Sequence, residues 1–258
     1  MIPKIIHYCW FGEKDIPLAL QSYISKWSVI CSGWEIKLWN ESNFDVFAHI
    51  FTKTAYEQKK YAYVSDYVRA WVLYNYGGVY LDVDVELKLP LDEFLNLESF
   101  SCFETDNFCF SSAIWGSIAK HSLLKKVLNY YEGRIYSSSE KTNVHLISNI
   151  LYDDFKIVKF LDENQLGFDG ENKINIFSSN YFCLDVPVNY ATHHFYGSWL
   201  DESNKKSYKN YVNNRNYINK IKKMEYDRQL TVYVAKKISF KELIRLFFLF
   251  VRNRIKHL

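Results

Sequence analysis

The sequence predicts an α/β fold with a mostly parallel central sheet. Short β-rich runs at Lys4–Phe11 and Trp34–Asn40 alternate with helical patterns at Pro17–Trp27 and Ala62–Tyr76, and another β-rich run begins at Val79. Strands that alternate with helices at these lengths pair in parallel and form layered α/β folds. The chain has 258 residues and is 48% hydrophobic, so it is long enough to bury a large core.

Each of these elements has a local reason. The first run is apolar apart from His7 and ends at Gly12, as expected for a buried strand. Apolar side chains recur at helical spacing up to Tyr76, and Gly77-Gly78 is a natural stop for that helix. Further along, the pattern predicts short strands at 100–105, 155–160 and 174–178 and helices at His121–Tyr131 and Thr142–Tyr152.

The charge distribution divides the chain into two parts. Residues 1–204 hold 17 Lys/Arg against 26 Asp/Glu, whereas residues 205–258 hold 15 against 3. We therefore predict a catalytic-type domain over residues 1–202 and a basic helical C-terminal extension over residues 203–258. A basic segment of this kind meets anionic surfaces; we expect no nucleic-acid partner.

Composition also predicts the compartment. The five cysteines form an odd count without a C-x-x-C pair, which argues against a disulfide framework and for a reducing environment. The first residues lack the pattern of a signal peptide, and no run of about 18 apolar residues suggests a membrane span. We expect a cytoplasmic protein, held peripherally on the inner face of the plasma membrane.

The stretch YNYGGVYLDVDVE, residues 74–86, places two aspartates in an otherwise apolar run. In an extended strand Asp82 and Asp84 point to the same face, where two carboxylates repel each other unless a cation lies between them. Ligands bind beyond the carboxyl ends of strands in open α/β sheets. Because hard oxygen ligands favour Mg²⁺ or Mn²⁺, the pair predicts a site for one of these cations. An isolated D-x-D is more often a structural turn.

The helix before this strand adds a second polar pair. Asp66 and Arg69 lie three residues apart and share one helical face. As an isolated pair they are equally consistent with a salt bridge within the helix. Their position just before the Gly77-Gly78 turn directs them toward the same site as the two aspartates.

Three motifs together carry a resemblance to a known family. These are KIIHYCWFG (residues 4–12), SDYVRAWVLYNYGGVYLDVDVE (65–86) and HHFYGSW (193–199). They resemble glycosyltransferase family 32, which includes capsular and lipopolysaccharide sugar transferases and, more distantly, the glucosylating domains of clostridial toxins. The resemblance covers roughly residues 2–200. One difference lies near residue 142, where many relatives have Gly-Pro and this chain has EKTNVHLISN.

The resemblance implies a GT-A fold, a UDP- or GDP-hexose donor, a divalent metal and retention of anomeric configuration. It implies that Asp82 contacts the donor and that Asp84 ligates the metal, with Asp82 beside it. It also implies that Asp66 and Arg69 bind the sugar and the diphosphate. Trp10, at the end of the first strand, matches an aromatic residue that packs on the nucleotide base; without the resemblance it reads as a core tryptophan.

Further residues complete the predicted site. A metal held by carboxylates and phosphates needs more ligands, and His194 is our first candidate, followed by His193 and Ser198. Trp199 is expected to close over the diphosphate as part of a lid, so Ser198 and Trp199 join the donor-binding set. Glu104 is expected to reach the reacting centre from the acceptor side, although a surface carboxylate is equally consistent with its sequence context.

These residues predict a metal-dependent retaining glycosyltransferase. It moves a hexose from a nucleotide-diphosphate sugar to a saccharide or lipid-linked saccharide in the synthesis of capsule, lipopolysaccharide or a related surface polysaccharide. One alternative is a metal-dependent phosphodiesterase, although two-metal nucleases need a larger ligand cluster. The other is a non-catalytic saccharide-binding module. A dehydrogenase is disfavoured because no G-x-G-x-x-G follows the first strand.

The last twenty residues, 239–258, combine a helix start with an amphipathic pattern. Ser239 and Glu242 form the sequence signature of a capping box. The apolar and aromatic residues that follow are surrounded by Lys and Arg, which predicts a helix that lies in a membrane interface rather than crossing the bilayer. Packing on the catalytic domain or on a second subunit is the alternative.

Overall fold

The computed structural model describes residues 1–104, 108–185, 189–197, 232 and 235–255. They form a seven-stranded sheet, a separate two-stranded ribbon and helices. The strands are β1 Ile5–Cys9, β2 Glu35–Trp39, β3 Gly78–Leu81, β4 Val85–Leu87, β5 Ser99–Cys102, β6 Ile114–Ser117, β7 Gln165–Phe168, β8 Lys173–Phe177 and β9 Ala191–His193. The helices are α1 Leu18–Ile30, α2 Ile50–Glu57, α3 Tyr61–Tyr76, α4 Ser122–Tyr131, α5 Asn143–Asp153, α6 Ser179–Phe182 and α7 Phe240–Ile255, with a 3-10 turn at Asp92–Phe94.

The central sheet has the strand order β2-β1-β3-β6-β5-β8-β7. β1 is parallel to β2 and β3, and β5 is parallel to β8. Because β6 is antiparallel to both β3 and β5, those two strands run the same way. Five of the seven strands therefore share one direction, and β6 and β7 oppose it. The predicted α/β class with a mostly parallel sheet is confirmed.

Two hydrophobic cores lie on the two faces of the sheet. One contains Val68 and Leu73 of α3 together with buried side chains of α2, α4 and α5. The other contains Trp27 of α1 and Phe182 of α6. Trp27 also donates a hydrogen bond from Nε1 to the carbonyl of Val85 at 3.0 Å, which holds α1 against the ribbon strand β4. Layers of helices on both faces leave the strand ends as the places open to a ligand.

The Gly77-Gly78 turn ends α3 and starts β3 without an intervening loop. Gly77 has φ +67° and donates its N–H to the carbonyl of Leu73, which closes the last turn of the helix. Gly78 has φ +107°, and a Cβ there would lie 2.7 Å from the carbonyl oxygen of Ile5. Only glycine fits such a left-handed conformation and so close an approach of two backbones. The predicted helix stop is confirmed.

His7 interrupts the apolar run of β1 for a structural reason. Its Nδ1 accepts a hydrogen bond from Nε1 of Trp39 at 3.0 Å. Since a tryptophan N–H can only donate, the proton of the neutral imidazole sits on Nε2, which donates to the carbonyl of Gly77 at 2.9 Å. Burial lowers the pKa of His7 to about 4. The neutral ring therefore ties β1 to β2 and to the glycine turn.

Most predicted elements are confirmed, and one is wrong. The run at 155–160 is not a strand, because Lys156 and Phe160 adopt φ values of +60° and +61°, which no regular strand allows. The strand that pairs with β8 is instead β7, at Gln165–Phe168. The structure also adds α2, β4, β6, α6 and β9, which the sequence patterns did not predict.

The C-terminal extension is described mainly through α7. Its start is the predicted capping box: the N–H of Glu242 donates to Oγ of Ser239 at 3.3 Å, and the N–H of Ser239 donates to Oε2 of Glu242 at 2.8 Å. Within the described part of the chain, every helix is too short or too polar to cross a membrane. The predicted boundary at residues 202 and 203 lies outside the described residues.

Candidate active site

The candidate site lies at one edge of the central sheet. Because β1, β3 and β5 run in the same direction, their carboxyl ends share that edge. Trp10 follows β1, Asp82 follows β3, and Glu104 lies two residues beyond β5. Three of the predicted residues are thus brought to one edge by topology alone.

Asp82 and Asp84 lie in a tight turn and not in an extended strand, which corrects the expectation from sequence. β3 ends at Leu81, and the N–H of Val85 donates to the carbonyl of Asp82 at 3.0 Å, as in a β-turn. The N–H of Asp82 donates to the carbonyl of Ala113 at 2.8 Å. The turn is therefore fixed to the sheet and holds both carboxylates at the strand end.

The ribbon of β4 and β9 brings a distant segment to this turn. Val85 pairs with His193, and Nε2 of His193 lies 3.5 Å from Oδ2 of Asp84. The same carboxylate oxygen accepts the N–H of Tyr196 at 2.7 Å. A short antiparallel pairing thus positions the imidazole of His193 beside Asp84.

Asp82, Asp84 and His193 form a group that could hold a cation. Each offers one ligand atom, and these atoms all lie within 4.8 Å of one another. Nδ1 of His193 is buried and has no hydrogen-bond partner among the described residues. Two carboxylates and an imidazole match the donors that Mn²⁺ accepts, whereas an all-oxygen shell suits Mg²⁺ best. The residues present fit the implied metal.

The structure brings His193, and not His194, into this group. Nε2 of His194 lies 3.0 Å from Oε2 of Glu86, and its ring stacks on Tyr23 with centroids 4.7 Å apart. The side chain of His194 is about one third exposed, at 35%. His193 is the last residue of β9, and His194 follows it with its side chain on Glu86 and Tyr23, so His193 alone of the two contacts Asp84.

The pKa shifts of the group follow from burial and from the charges of neighbouring side chains. Burial alone raises the pKa of Asp84, but His193 and the hydrogen bond from Tyr196 outweigh it, and the net pKa is lowered. Burial raises the pKa of Asp82, and Arg69 opposes that increase. Burial alone lowers the pKa of His193, but the nearby carboxylates outweigh it and raise the pKa. Asp84 and His193 therefore stabilise each other's charged forms.

Arg69 joins the helix pair to the aspartate turn. Its guanidinium lies 3.3 Å from Oδ1 of Asp66 and 3.2 Å from Oδ1 of Asp82. The guanidinium also donates to the carbonyl of Ser112 and lies over the ring of Tyr80, 4.6 Å from its centroid. Arg69 is buried, at 5% exposure, so this one cation holds two carboxylates in a fixed arrangement.

Asp66 is buried, at 7% exposure. Burial raises its pKa to about 7 in spite of Arg69, which opposes the increase. Its Oδ2 accepts the backbone N–H of Asn143, the first residue of α5, at 3.4 Å. A carboxylate in this position can accept hydrogen bonds from hydroxyl groups of a sugar.

Asn143 is a candidate residue that the sequence reasoning missed. It is buried at 1% exposure, and neither atom of its carboxamide has a hydrogen-bond partner among the described residues. Buried amides without partners are rare, because leaving them unpaired costs about 1–3 kcal/mol. The difference from the Gly-Pro of many relatives near residue 142 was the one signal that pointed here.

The remaining predicted residues lie around this centre. Burial raises the pKa of Glu104, His193 opposes that increase, and Asp82 and Asp84 add to it. Trp10 is partly exposed and donates from Nε1 to the carbonyl of Lys14 at 2.6 Å. The predicted site residues Ser198 and Trp199 lie outside the described residues.

Comparison with known proteins gives the same reading of this region. The family described as "Glycosyltransferase sugar-binding region containing DXD motif" matches residues 17–101, which include α3 and the aspartate turn. The chain is 26% identical over 178 residues to inositol phosphoceramide mannosyltransferase 1 of Schizosaccharomyces pombe, a match that covers 62% of this chain and 52% of that protein. This chain thus spans about half the length of that relative.

Two further similarities extend the comparison. An uncharacterized glycosyltransferase of Acanthamoeba polyphaga mimivirus is 25% identical over 214 residues, which cover 77% of this chain and 84% of that protein. Among solved structures, the PaToxG glycosyltransferase is 16% identical with a TM-score of 0.46, and covers 60% of this chain and 70% of that one.

The predicted resemblance is thereby confirmed where its motifs are most specific. The matched region contains Asp66, Arg69, Asp82 and Asp84, which the structure brings together at one sheet edge. Residues 17–101 of this chain are thus similar to the sugar-binding region of the glycosyltransferases that contain a DXD motif.

Proposed function

We propose that the protein transfers a hexose from a nucleotide-diphosphate sugar to an acceptor, with the help of a divalent cation. The observation that carries this proposal is the position of the cation group of Asp82, Asp84 and His193 next to the Arg69–Asp66 pair. One half of this site suits a metal and a diphosphate, and the other half suits hydroxyl groups.

The first half binds the negative end of the donor. Asp84, His193 and Asp82 would hold Mn²⁺ or Mg²⁺, which when bound stabilises negative charge on a departing diphosphate. Arg69 supplies a second, fixed positive charge, and its bonds to two carboxylates keep it in place without a substrate. Trp10 is the proposed surface for the base, and Ser198 and Trp199 remain part of the proposed donor site.

The second half binds the sugar. Asp66 accepts hydroxyl hydrogens, and the carboxamide of Asn143 can both donate and accept hydrogen bonds. Their burial excludes water and makes each polar contact more selective. Glu104, two residues beyond β5, is the proposed residue on the acceptor side.

The substrates are inferred from chemistry and from the names of the relatives. A retaining transfer without a covalent nucleophile is the reaction that we propose, with the new bond formed on the same face of the sugar. The S. pombe relative is named as a mannosyltransferase that acts on inositol phosphoceramide. Mannose is therefore the first donor sugar to test, and a saccharide or a lipid-linked saccharide in capsule or lipopolysaccharide synthesis on the cytoplasmic side is the proposed acceptor.

The first experiment is a thermal-shift panel of UDP- and GDP-hexoses with Mn²⁺, with and without chelator. A donor that binds only the folded state raises the melting temperature. The preferred donor then enters a transfer assay with the D84N variant, which keeps the shape of the side chain but removes an anionic ligand. We expect a metal-dependent shift, and at least about a hundredfold loss of transfer in D84N.

Other outcomes separate the alternatives. Sugar binding that chelator does not change favours a non-catalytic binding module. Hydrolysis of a plain phosphodiester in the absence of a sugar donor favours a phosphodiesterase. D154N is the matched control, because Asp154 forms a surface ion pair with Lys126 at 2.7 Å and caps the opposite end of α5 from Asn143; its transfer rate should equal that of the wild type.

A further inference from the structure

Helix α7 presents an apolar face that the proposed activity does not use. Phe240, Leu243, Ile244, Phe247 and Phe248 recur at the spacing of a single helical face. All five are exposed, and the three phenylalanines are 77%, 63% and 64% exposed along the chain. Exposed aromatic side chains concentrated on one face indicate a surface that binds something apolar.

The helix is well defined by its own sequence. Ser239 and Glu242 close the capping box described above, which satisfies N–H groups at its start. An amphipathic helix with its own N-terminal cap can present this face without packing on another element.

The charges around the face favour an anionic partner. Lys241 lies on the same side of the helix as Phe248, two turns before it, and one turn from Arg245; Lys236 and Lys237 precede the helix and are exposed. Residues 205–258 as a whole hold 15 Lys/Arg against 3 Asp/Glu. Aromatic side chains bordered by basic ones match the boundary between acyl chains and anionic headgroups, since each type of side chain then meets its complement.

The length of the helix decides between crossing the bilayer and lying on it. α7 has 16 residues, which at 1.5 Å per residue amount to about 24 Å, shorter than the roughly 30 Å hydrocarbon core. Arg245 lies inside the helical segment, so a transmembrane position would bury its charge. A helix parallel to the surface keeps Lys241 and Arg245 at the headgroups while the phenylalanines insert.

We propose that α7 binds the surface of an anionic lipid bilayer, with its phenylalanine face inserted at the level of the headgroups and its lysines and arginines on the phosphates. This inference stands on the helix alone and does not depend on the proposed function. It assigns the protein a peripheral attachment site about one helix long.

Co-sedimentation of the full chain with lipid vesicles tests the proposal. The probes are vesicles of phosphatidylcholine alone and vesicles that also contain phosphatidylglycerol. We expect the protein to sediment with the anionic vesicles at low salt, and at least about tenfold less with neutral vesicles or at high salt, because screening weakens the attraction of lysine and arginine to phosphate. A protein that stays in the supernatant with anionic vesicles at low salt overturns the proposal.

A matched pair of variants tests whether the apolar face is responsible. L243E/F247E places two carboxylates on the face and should lower partitioning at least about tenfold. L18E/V29E is the control, because Leu18 and Val29 of α1 are 82% and 76% exposed and the change in charge is the same. If both variants lose vesicle binding equally, net charge alone determines the binding, and the proposal is wrong. Circular dichroism verifies that both variants fold.

A second copy of the chain is the competing occupant. Sedimentation velocity without lipid is expected to show a monomer for the wild type and for L243E/F247E. A wild-type dimer that this variant dissociates, together with no binding to vesicles, assigns the face to a protein interface and overturns the proposal.

Discussion

The Arg69 guanidinium lies 3.2 Å from a carboxylate oxygen of Asp82, although the two residues belong to different elements. Asp66, one turn earlier in α3, contacts the same guanidinium at 3.3 Å. A buried cation that two carboxylates share has consequences for both stability and binding, and these can be measured separately.

The first prediction concerns stability. R69M removes the cation and leaves the buried Asp66 and the partly buried Asp82 without a counter-charge, which should lower the free energy of unfolding by about 3–5 kcal/mol. The triple variant R69M/D66N/D82N removes the uncompensated carboxylates as well and should recover about half of that loss or more. Urea denaturation with chelator present measures both values. An R69M variant as stable as the wild type would show that the carboxylates are not buried as charged groups.

The second prediction separates the two adjacent histidines. H193A removes a ligand of the cation group and should weaken Mn²⁺ binding by about tenfold to a hundredfold. H194A should change Mn²⁺ binding by less than about threefold, because its imidazole contacts Glu86 and Tyr23 and not the aspartates. Isothermal titration with Mn²⁺ compares the two variants directly. The reverse order of effects would assign the metal to His194.

The third prediction concerns Trp10. W10A should raise the KM for the donor and leave kcat close to that of the wild type, because stacking on the base is equally strong in the ground state and in the transition state. W10F, which retains an aromatic face, should restore most of the donor affinity. An unchanged KM with a lower kcat contradicts a role in base binding.

The fourth prediction concerns the buried amide of Asn143. N143A removes two unpaired polar atoms, so the folded protein should be no less stable than the wild type. If the amide contacts the sugar, the same variant should lower kcat/KM by about tenfold to a hundredfold. A stability gain without any loss of kcat/KM would exclude contact with the substrate.

The fifth prediction is the pH dependence that His7 imposes on stability. The pKa of His7 is about 4 in the folded protein and 6.5 in the unfolded chain. As the pH falls below 6.5, the unfolded chain therefore binds a proton that the folded protein does not. The contribution of neutral His7 to the stability of the folded protein is complete above pH 6.5 and is lost as the pH falls toward 4. The free energy of unfolding should decrease by about 2 kcal/mol between pH 7 and pH 5.

The H7Q variant provides the control for this effect. A glutamine can accept from Trp39 and donate to Gly77 as the neutral imidazole does, but it does not titrate. The difference in unfolding free energy between wild type and H7Q should therefore narrow or reverse as the pH falls. If the unfolding free energies of the two proteins change in parallel between pH 7 and pH 5, the lowered pKa assigned to His7 is wrong.

The sequence predicted the first half of the fold well because its signals are local. The helical period up to Tyr76 and the two glycines after it determine where α3 ends and β3 begins. Asp66 and Arg69 lie on the same helical face, and the strand order brings them to Asp82. The spacing of these residues along the chain and the topology of α/β folds were sufficient to predict this part of the structure.

The second half of the fold was predicted less well, because it depends on pairing between strands that are distant in sequence. β4 and β9 have three residues each, too few for a periodic pattern, and they form only because they pair with each other. Their register selects His193 over His194, a choice that sequence alone could not make. The left-handed backbone at Lys156 likewise overrides a β-rich composition.

Pairing between β4 and β9 also has a consequence for how the protein is made. Glu86 and His194, which meet across this ribbon, are 108 residues apart in sequence. On a ribosome, α3 and the aspartate turn emerge and can fold well before β9 is synthesised, and contacts this distant in sequence form late. The nascent chain therefore contains Asp66 and Arg69 well before His193 can join Asp82 and Asp84.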